Sequence, residues 1–316
     1  MKTFVIGYFD RNVGDELMLK TLITKNRNRS YIINGCSEHD INVYKGWYDD
    51  VRKSRNKLKD MLCSKEIVFI GGSLFQDFSD KAYVYYFKLC LFLLLGRITN
   101  KKVSILSSNL GPFTNNKTKL LVKIITLLAS NVVVRDKLSQ DIAVNKNTKL
   151  ARDIVEFSDV KPSCKEKAYI GINIIDSVNL DNDIYLSNML SDIIAKAKCL
   201  KKIKLFIFHY QDEIISLELA RKLREEEPSF EINIVRFLNV ESFISEFENV
   251  DYMFCSRFHS MIISINMHIP FTLYVYSNKV NEYLNTHYGI SKLPMSEIGN
   301  EIKIEYIEDK EDFYVL

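Results

Sequence analysis

The sequence predicts an α/β protein with two similar parallel sheets, and three observations lead to that prediction. The chain has 316 residues, enough for about two domains that each bury a core. Short β-branched and aromatic runs alternate with longer amphipathic stretches along nearly its whole length, which is typical of βαβ units. The polar segment 158–167 contains Pro162 and no periodic apolar face, as expected of a linker. We therefore predict two α/β domains with similar parallel sheets, residues 1–160 and 161–316.

The periodicity assigns the elements in chain order. The predicted strands of the first half are residues 3–9, 30–34, 66–70, 102–107 and 131–135, and its predicted helices are 16–25, 49–63, 81–95, 117–129 and 137–144. The predicted strands of the second half are residues 169–175, 203–209, 231–237, 251–256 and 271–276, and its predicted helices are 187–199, 213–226, 240–248, 259–266 and 280–287. The tail beyond residue 295 is strand-like in places, so it pairs on a sheet edge or frays.

Composition excludes several classes of protein. The chain is 47% hydrophobic and 26% charged, with only 11 Gly and 5 Pro, which argues against disordered or fibrous chains. A net charge of +3 is too small to indicate a nucleic-acid binder. The 6 cysteines form no C-x-x-C pair and none has a histidine at zinc-finger spacing. We therefore expect reduced cysteines in the core, no metal and no nucleic-acid partner.

The most apolar stretch is residues 83–98, in which Lys88 and Arg97 bracket an uncharged segment far shorter than the roughly 18 to 20 residues of a membrane span. We expect a helix buried between the sheet and its neighbours; the alternative is an interfacial helix that touches membrane lipid. The chain turns polar at Asp10, too early for a signal peptide. The expected location is the cytoplasm, either free or at the inner face of the membrane.

Ligands of open parallel sheets bind at the carboxyl ends of the strands, so the turns there carry the candidate sites. After the first strand, residues 7–16 (GYFDRNVGDE) lead into a helix whose N–H groups could face an anion. Alternatively, Gly14 only makes the turn and Asp15 complements the helix dipole. Gly71 and Gly72, followed by Ser73, suit either a ligand close to the backbone or a sharp bend.

The strongest local pattern is residues 256–260 (SRFHS), which follow an apolar strand and open a helix. Arg257 offers a planar fork of donors for a carboxylate or phosphate, and His259 can exchange a proton near neutral pH. Together at a helix N-terminus they predict an anion pocket that contains an acid–base group. Arg135, at another strand end, is expected to reach, from the other domain, the cleft that contains this anion pocket. The alternative is a surface salt bridge beside a helix-capping Asp136.

At these residues the chain resembles the polysaccharide pyruvyl transferase family. The matching segments, in the family's order, are residues 7–17 (GYFDRNVGDEL), 70–77 (IGGSLFQD), 110–112 (LGP), 134–139 (VRDKLS), Asp153, 256–260 (SRFHS) and 270–279 (PFTLYVYSNK). The resemblance implies two Rossmann-like domains facing a cleft, as in B-type glycosyltransferases. It also implies that the N-terminal domain binds the acceptor and the C-terminal domain binds the donor.

The activity implied by the resemblance is transfer of pyruvate from phosphoenolpyruvate to sugar hydroxyls as a ketal, in a cell-surface or exopolysaccharide precursor. His259 would be the general acid and Arg257 the anion clamp, with no cofactor beyond phosphoenolpyruvate as donor substrate. The other candidate substrate-binding residues are Arg135, Ser256, Ser260, Lys279, Tyr276, Gly71, Gly72, Ser73, Gly14, Asp15 and Asp77. The acceptor sugar could be lipid- or nucleotide-linked.

Two other functions stay open at this point: a B-type glycosyltransferase that uses a nucleotide sugar, and a non-catalytic sugar-binding relative, because a fold does not fix chemistry. Peripheral contact with a membrane is a further expectation. The sequence does not identify the acceptor hydroxyls, the ketal geometry or the oligomeric state.

Overall fold

The computed structural model describes residues 1–9, 11–176, 182–290, 293 and 300–302. This part of the chain divides into two compact units. The first holds residues 1–9 and 15–157. The second holds Arg11–Gly14 and the described residues from Ser158 onward. The chain therefore passes from one unit to the other at Phe157, and the short segment Arg11–Gly14 belongs to the second unit although it precedes most of the first.

The first unit alternates strands and helices. Its strands are β1 (Lys2–Ile6), β2 (Ser30–Asn34), β3 (Val51–Lys53), β4 (Glu66–Ile70), β5 (Lys102–Ser108), β6 (Asn131–Val134) and β7 (Thr148–Leu150). Its helices are α1 (Val13–Lys25, which begins in the second unit), α2 (Glu38–Trp47), α3 (Lys57–Cys63), α4 (Ala82–Ile98), α5 (Asn116–Leu128) and α6 (Lys137–Ile142). A 3₁₀ turn at Ile154–Phe157 closes the unit.

These seven strands form one parallel sheet in the order β3-β2-β1-β4-β5-β6-β7. The strand order reverses direction between β1 and β4, which is the switch point where such sheets bind ligands. Strand β4 is buried along its whole length because helices cover both faces of a parallel sheet. One hydrophobic cluster of this unit packs residues of β4 and β5 against α4 and α5.

The second unit repeats this plan. Its strands are β8 (Tyr169–Ile172), β9 (Lys202–Ile207), β10 (Glu231–Arg236), β11 (Val250–Cys255), β12 (Phe271–Leu273) and β13 (Asn300–Ile302). Its helices are α7 (Asn182–Ala197), α8 (Glu213–Glu226), α9 (Val240–Ser245), α10 (Phe258–Asn266) and α11 (Asn278–Tyr288), with a 3₁₀ turn at Tyr210–Asp212.

The second sheet has the order β10-β9-β8-β11-β12-β13, with a switch point between β8 and β11. All described pairs are parallel except β12 with β13, where Phe271 lies opposite Ile302. Of the two expectations for the C-terminal tail, pairing on a sheet edge is the one observed for Asn300–Ile302. The predicted α/β fold with two Rossmann-like sheets is therefore confirmed.

One predicted helix is wrong. Residues 49–63 form strand β3 and then helix α3, because Asn56 caps the helix by accepting a hydrogen bond from the backbone N–H of Lys59. Helix α2 lies outside every predicted helix; it opens with a capping box between Ser37 and Asp40 and buries only Ile41 and Tyr44. A short helix with so narrow an apolar face gives a weak periodic signal.

The expectation of a buried helix at residues 83–98 is wrong for one face of the helix. Helix α4 buries Tyr86, Leu89 and Leu93 against the core but leaves Phe87 and Leu91 more than half exposed. No helix in the described ranges is long and apolar enough to cross a membrane. The cysteines also differ from expectation, since Cys63, Cys164 and Cys199 are exposed, whereas Cys36, Cys90 and Cys255 are buried; all six are free thiols.

Candidate functional site

The SRFHS segment lies at the junction between β11 and α10 in the second unit. Arg257 occupies the N-cap position with extended backbone (φ −78°, ψ 141°), so α10 begins at Phe258. Since β11 lies next to the switch point of its sheet, this junction is the place where the topology predicts a ligand site. The helix N-terminus adds unsatisfied backbone N–H groups to the site.

Arg257 is held by a carboxylate from the neighbouring part of the sheet. Its Nε donates to Oδ2 of Asp212 at 2.8 Å and its Nη2 donates to Oδ1 at 2.6 Å. The Asp212 side chain is fully buried, whereas that of Arg257 is 24% exposed. The backbone N–H of Arg257 donates to Oδ1 of Asn173, just beyond β8, at 2.7 Å. The guanidinium is therefore fixed by a two-point ion pair while one side of it reaches solvent.

His259 lies in the first turn of α10 and is half-buried. A Cβ atom built on Gly14 would lie 1.8 Å from Nδ1 of this imidazole, so the ring rests directly on the glycine backbone. The Phe258 ring stands nearly perpendicular to the imidazole, at 5.2 Å between centroids. Gly14 is anchored in turn, because the adjacent Val13 N–H donates to the carbonyl of Phe208 at 3.2 Å.

This contact changes the interpretation of Gly14. Neither alternative of the sequence analysis, an anion-binding turn or a plain structural turn, anticipated it. Helix α1 already begins at Val13, so Gly14 is helical and has no left-handed φ. Glycine is needed here because any side chain would occupy the position of the His259 ring.

The two serines of the segment order its backbone. Ser260 Oγ donates to the carbonyl of Arg257 at 2.6 Å, which closes the first turn of α10. Ser256 is hydrogen-bonded to the buried hydroxyl of Tyr185, whose pKa burial raises well above its ordinary value. Burial also raises the pKa of Cys255 to about 12, which favours the protonated thiol at neutral pH.

Tyr276 and Lys279 lie at the next strand–helix junction of the same sheet. Strand β12 pairs with β11, and Cys255 lies opposite Leu273. Tyr276 follows β12, and Lys279 is in the first turn of α11; both are half-buried. Because parallel strands end at the same edge, both residues share that edge with the SRFHS segment.

Arg135 lies at the end of β6 in the first unit, and its side chain is 5% exposed. Nη1 contacts Oδ2 of the fully buried Asp153 at 2.5 Å, and Nε donates to Oδ1 of Asn109 at 2.7 Å. Asp153 also accepts from Ser107 Oγ at 3.0 Å. The alternative of a surface salt bridge is therefore wrong, because this ion pair is buried.

The glycines after β4 belong to the same cluster of the first unit. Gly71 has a φ of +144°, which only glycine adopts readily. A Cβ on Gly72 would lie 2.3 Å from Nη2 of Arg135, so this glycine makes room for the guanidinium. Asp15, in the first turn of α1, lies beside Gly71. Ser73 follows them and is half-buried.

Two further acidic residues, Asp136 and Asp77, accept hydrogen bonds from backbone N–H groups at or near helix N-termini. Asp136 caps α6, since its Oδ1 accepts from the Ser139 N–H at 2.7 Å, which was one of the alternatives for this residue. Oδ2 of Asp77 accepts from the backbone N–H groups of Thr114 (2.6 Å) and Asn115 (2.9 Å) ahead of α5. Although burial alone would raise the pKa of Asp77, these hydrogen bonds bring it below the ordinary value. Asp77 is thus an ionised structural anchor.

Sequence reasoning missed three partners of the candidate arginines: Asp212, Asn173 and Asn109. Asp212 and Asn109 come shortly after predicted strands, which was the available signal, whereas Asn173 lies inside the strand predicted at residues 169–175. None of the three stands out from other polar residues. Over the described ranges, no group of three or more His, Cys, Asp or Glu side chains is placed to hold a metal ion.

The fold belongs to the class of B-type glycosyltransferases and related epimerases. UDP-GlcNAc 2-epimerase from Methanocaldococcus jannaschii has a TM-score of 0.57 at 12% identity, over 88% of this chain and 84% of that one. Anabaena HepE, solved with UDP and glucose, has a TM-score of 0.55 at 12% identity, over 85% and 79%. MnaA of S. aureus, solved with UDP, has a TM-score of 0.52 at 8% identity, over 87% and 79%.

Within this fold class the chain belongs to the polysaccharide pyruvyl transferase family. The family's sequence model matches residues 12–278, which include Arg135, Arg257 and His259. No curated protein sequence matches the chain significantly. The resemblance seen in the sequence is thereby confirmed, and the chain is a transferase of polysaccharide synthesis.

Proposed function

We propose that this protein transfers pyruvate from phosphoenolpyruvate to two hydroxyls of a sugar, forming a ketal. The observation that carries the proposal is the placement of Arg257 and His259 at one strand–helix junction, beside a helix N-terminus. Phosphoenolpyruvate carries a carboxylate and a phosphate and reacts by gaining a proton on carbon, so it needs a cationic clamp next to an acid. Membership of the pyruvyl transferase family supports this donor.

The proposed transfer begins with protonation on carbon. The methylene carbon of phosphoenolpyruvate takes a proton, which leaves an oxocarbenium-like centre at the neighbouring carbon. A sugar hydroxyl attacks that carbon and loses its proton, the carbon–oxygen bond to phosphate breaks, and inorganic phosphate departs. The second hydroxyl then attacks and loses its proton, closing the ring. Of the two hydroxyl protons, one replaces the proton spent on the methyl group and the other leaves with phosphate.

Arg257 is suited to hold the donor because only part of its fork is engaged. Asp212 accepts from Nε and one N–H of Nη2, and no hydrogen bond of the described residues uses Nη1. The Nη1 edge is therefore available for the carboxylate or phosphate of the donor. His259 supplies the proton in this proposal, and Lys279 and Tyr276, on the same edge of the sheet, are further donor-side candidates.

The test is phosphate release from phosphoenolpyruvate with a panel of glycan acceptors, analysed by mass spectrometry for an acid-labile pyruvate on the glycan. The proposal expects acceptor-dependent release and thermal stabilisation by phosphoenolpyruvate, since a ligand of the native state raises the melting temperature. Stabilisation by a nucleoside diphosphate alone, with sugar transfer from a nucleotide sugar, would instead identify a glycosyltransferase. Binding of glycans without any phosphate release would identify a non-catalytic relative.

The acceptor is proposed to be a sugar of a cell-surface or exopolysaccharide precursor. The panel should therefore contain free, nucleotide-linked and lipid-linked sugars. The form that gives the highest kcat/KM identifies the natural acceptor class. A comparison of cell-surface glycans with and without the protein would test the same point in cells.

A further inference from the structure

Helix α4 presents a continuous apolar stripe to solvent. Its members are spaced alternately three and four residues apart, so they share one face of the helix. They are Val84 (40% exposed), Phe87 (54%), Leu91 (53%), Leu94 (45%) and Ile98 (74%). The opposite face of α4 packs into the core of the first unit, so the exposed stripe is a second, separate apolar face.

Helix α5 extends this surface. Leu120 and Leu127 are 60% and 64% exposed, and Ile124 between them is 37% exposed. A cavity of about 340 Å³ joins the two helices and is lined by Tyr83, Val84, Phe87, Lys117, Leu120 and Leu121. The two stripes therefore form one surface, which we call the α4–α5 surface. Contiguous apolar patches of this kind mark interaction sites.

The charges of the same region have one sign. Residues 81–129, which contain both helices, carry eight Lys or Arg and no Asp or Glu. Lys88 lies between Val84 and Leu91 at helical spacing, and Lys123 between Leu120 and Leu127. Within the described part of the chain, neither lysine takes part in an ion pair. The apolar stripe is thus flanked by uncompensated positive charge.

We propose that the α4–α5 surface docks on an anionic lipid bilayer. Phenylalanine and leucine side chains on one helical face enter the boundary between headgroups and acyl chains, while lysines beside them meet anionic headgroups. A symmetric dimer would put the same patch on both subunits, so it would bring the two lysine sets together. The charge pattern therefore favours lipid over a second copy of the chain. The inference does not depend on the identity of the donor or acceptor.

The test is cosedimentation of the full chain with vesicles made of equal parts phosphatidylglycerol and phosphatidylcholine, compared with phosphatidylcholine alone. We expect sedimentation with the anionic vesicles, little with the neutral ones, and release as ionic strength rises from about 0.1 M to about 1 M. No sedimentation with anionic vesicles, or equal sedimentation with both kinds, would overturn the proposal.

Two double variants, each with a matched control, locate the contact. Each neutralised lysine should lower the partition coefficient about fivefold, so Lys88→Gln with Lys123→Gln should lower it about 25-fold. The matched control, Lys146→Gln with Lys198→Gln, removes the same charge from exposed positions outside the surface and should leave binding unchanged. Phe87→Ser with Leu91→Ser should also weaken binding, whereas Ile214→Ser with Leu238→Ser, 81% and 74% exposed elsewhere, should not.

Apart from the half-buried Lys123, all substituted side chains are exposed, so circular dichroism should show unchanged folding. Leu94→Ser with Ile98→Ser serves as a second apolar pair. Analytical ultracentrifugation measures the competing outcome, which is self-association through the same surface. A dimer that Phe87→Ser with Leu91→Ser dissociates, together with no vesicle binding, would assign the surface to self-association and overturn the lipid proposal.

Discussion

The imidazole of His259 rests on the backbone of Gly14, a residue that is 245 positions earlier in the chain (259 − 14) and lies in the segment Arg11–Gly14 of the second unit. A Cβ at position 14 would lie 1.8 Å from Nδ1 and 2.4 Å from Cε1. The space for the ring therefore depends on the absence of a side chain on its neighbour. Since His259 is the proposed general acid, the absence of a side chain at Gly14 determines where the acid can lie.

Gly14→Ala should displace the His259 ring and destabilise the protein by about 1–3 kcal/mol, as overpacking does. It should also lower phosphate release, because the acid leaves its position. Urea unfolding and activity assays measure the two effects. Gly46→Ala is the matched control, since a Cβ there meets nothing within 4 Å, and it should be neutral or slightly stabilising. Wild-type stability and activity of Gly14→Ala would show that the ring moves aside without consequence.

His259→Ala should lower turnover by about 10²- to 10⁴-fold, the usual contribution of a general acid, while the melting temperature changes little. The half-buried ring stands beside Phe258, so a modest loss of packing is the only structural cost expected. Turnover within a few-fold of the wild type would remove His259 from the mechanism.

Arg257→Lys keeps the charge but loses the planar fork, so we expect a higher KM for phosphoenolpyruvate. Asp212→Asn should have a similar effect through loss of the two-point ion pair that orients the guanidinium. Steady-state kinetics with phosphoenolpyruvate as the varied substrate measures both. An unchanged KM in Arg257→Lys would place the donor elsewhere.

Asp153→Asn should destabilise the first unit by about 3–5 kcal/mol, because it leaves the buried guanidinium of Arg135 without its counter-charge. Urea titration measures this loss. The control is Lys137→Gln, which breaks the exposed Lys137–Asp141 pair and should cost at most about 1 kcal/mol. A similar small decrease in the free energy of unfolding in both variants would contradict the expectation that the buried Arg135–Asp153 pair stabilises the unit.

Asp60 should make the free energy of unfolding depend on pH in the acid range. Hydrogen bonds from Arg52 foremost, and from Ser54 and the backbone, hold the pKa of Asp60 well below its usual range. A depressed folded-state pKa means that the stabilisation is complete above the unfolded pKa of about 3.9 and fades as pH falls below it. Asp60→Asn should therefore be less stable by about 2 kcal/mol at pH 7, and the gap should narrow towards pH 2.

Urea unfolding of both proteins across this pH range measures the effect, with the exposed Asp251→Asn as control. A gap between Asp60→Asn and the wild type that stays constant down to pH 2 would contradict the assignment.

The sequence predicted the fold well where strands are buried on both faces. Strand β4 is fully buried, with apolar residues after Glu66, and its predicted bounds match the observed ones. Prediction failed where the pattern is short or half-polar. Strand β3 buries only Val51, so its residues were assigned to the helix predicted at residues 49–63. The exposed stripe of α4 could not be told from a buried one, because periodicity shows which residues are apolar but not which faces are covered.

The site was predicted through residue chemistry and only in part through geometry. The joint position of Arg257 and His259 followed from their place after a strand. The support of Arg257 by Asp212 and the contact of His259 with Gly14 join residues distant in sequence, so a local pattern could not predict them. Roles assigned to Tyr276, Lys279, Ser73 and Asp15 stay predictions.

The strand orders have a consequence for how the chain is made. Strand β1 pairs with β4, so Thr3 cannot pair with Glu66 until Glu66 has been synthesised. Likewise, β8 cannot pair with β11 until β11 has been synthesised. Because parallel pairing between distant segments is slow, each nascent sheet leaves apolar strands uncovered on the ribosome until its later partner emerges. We expect early translation products of each half to need chaperone protection.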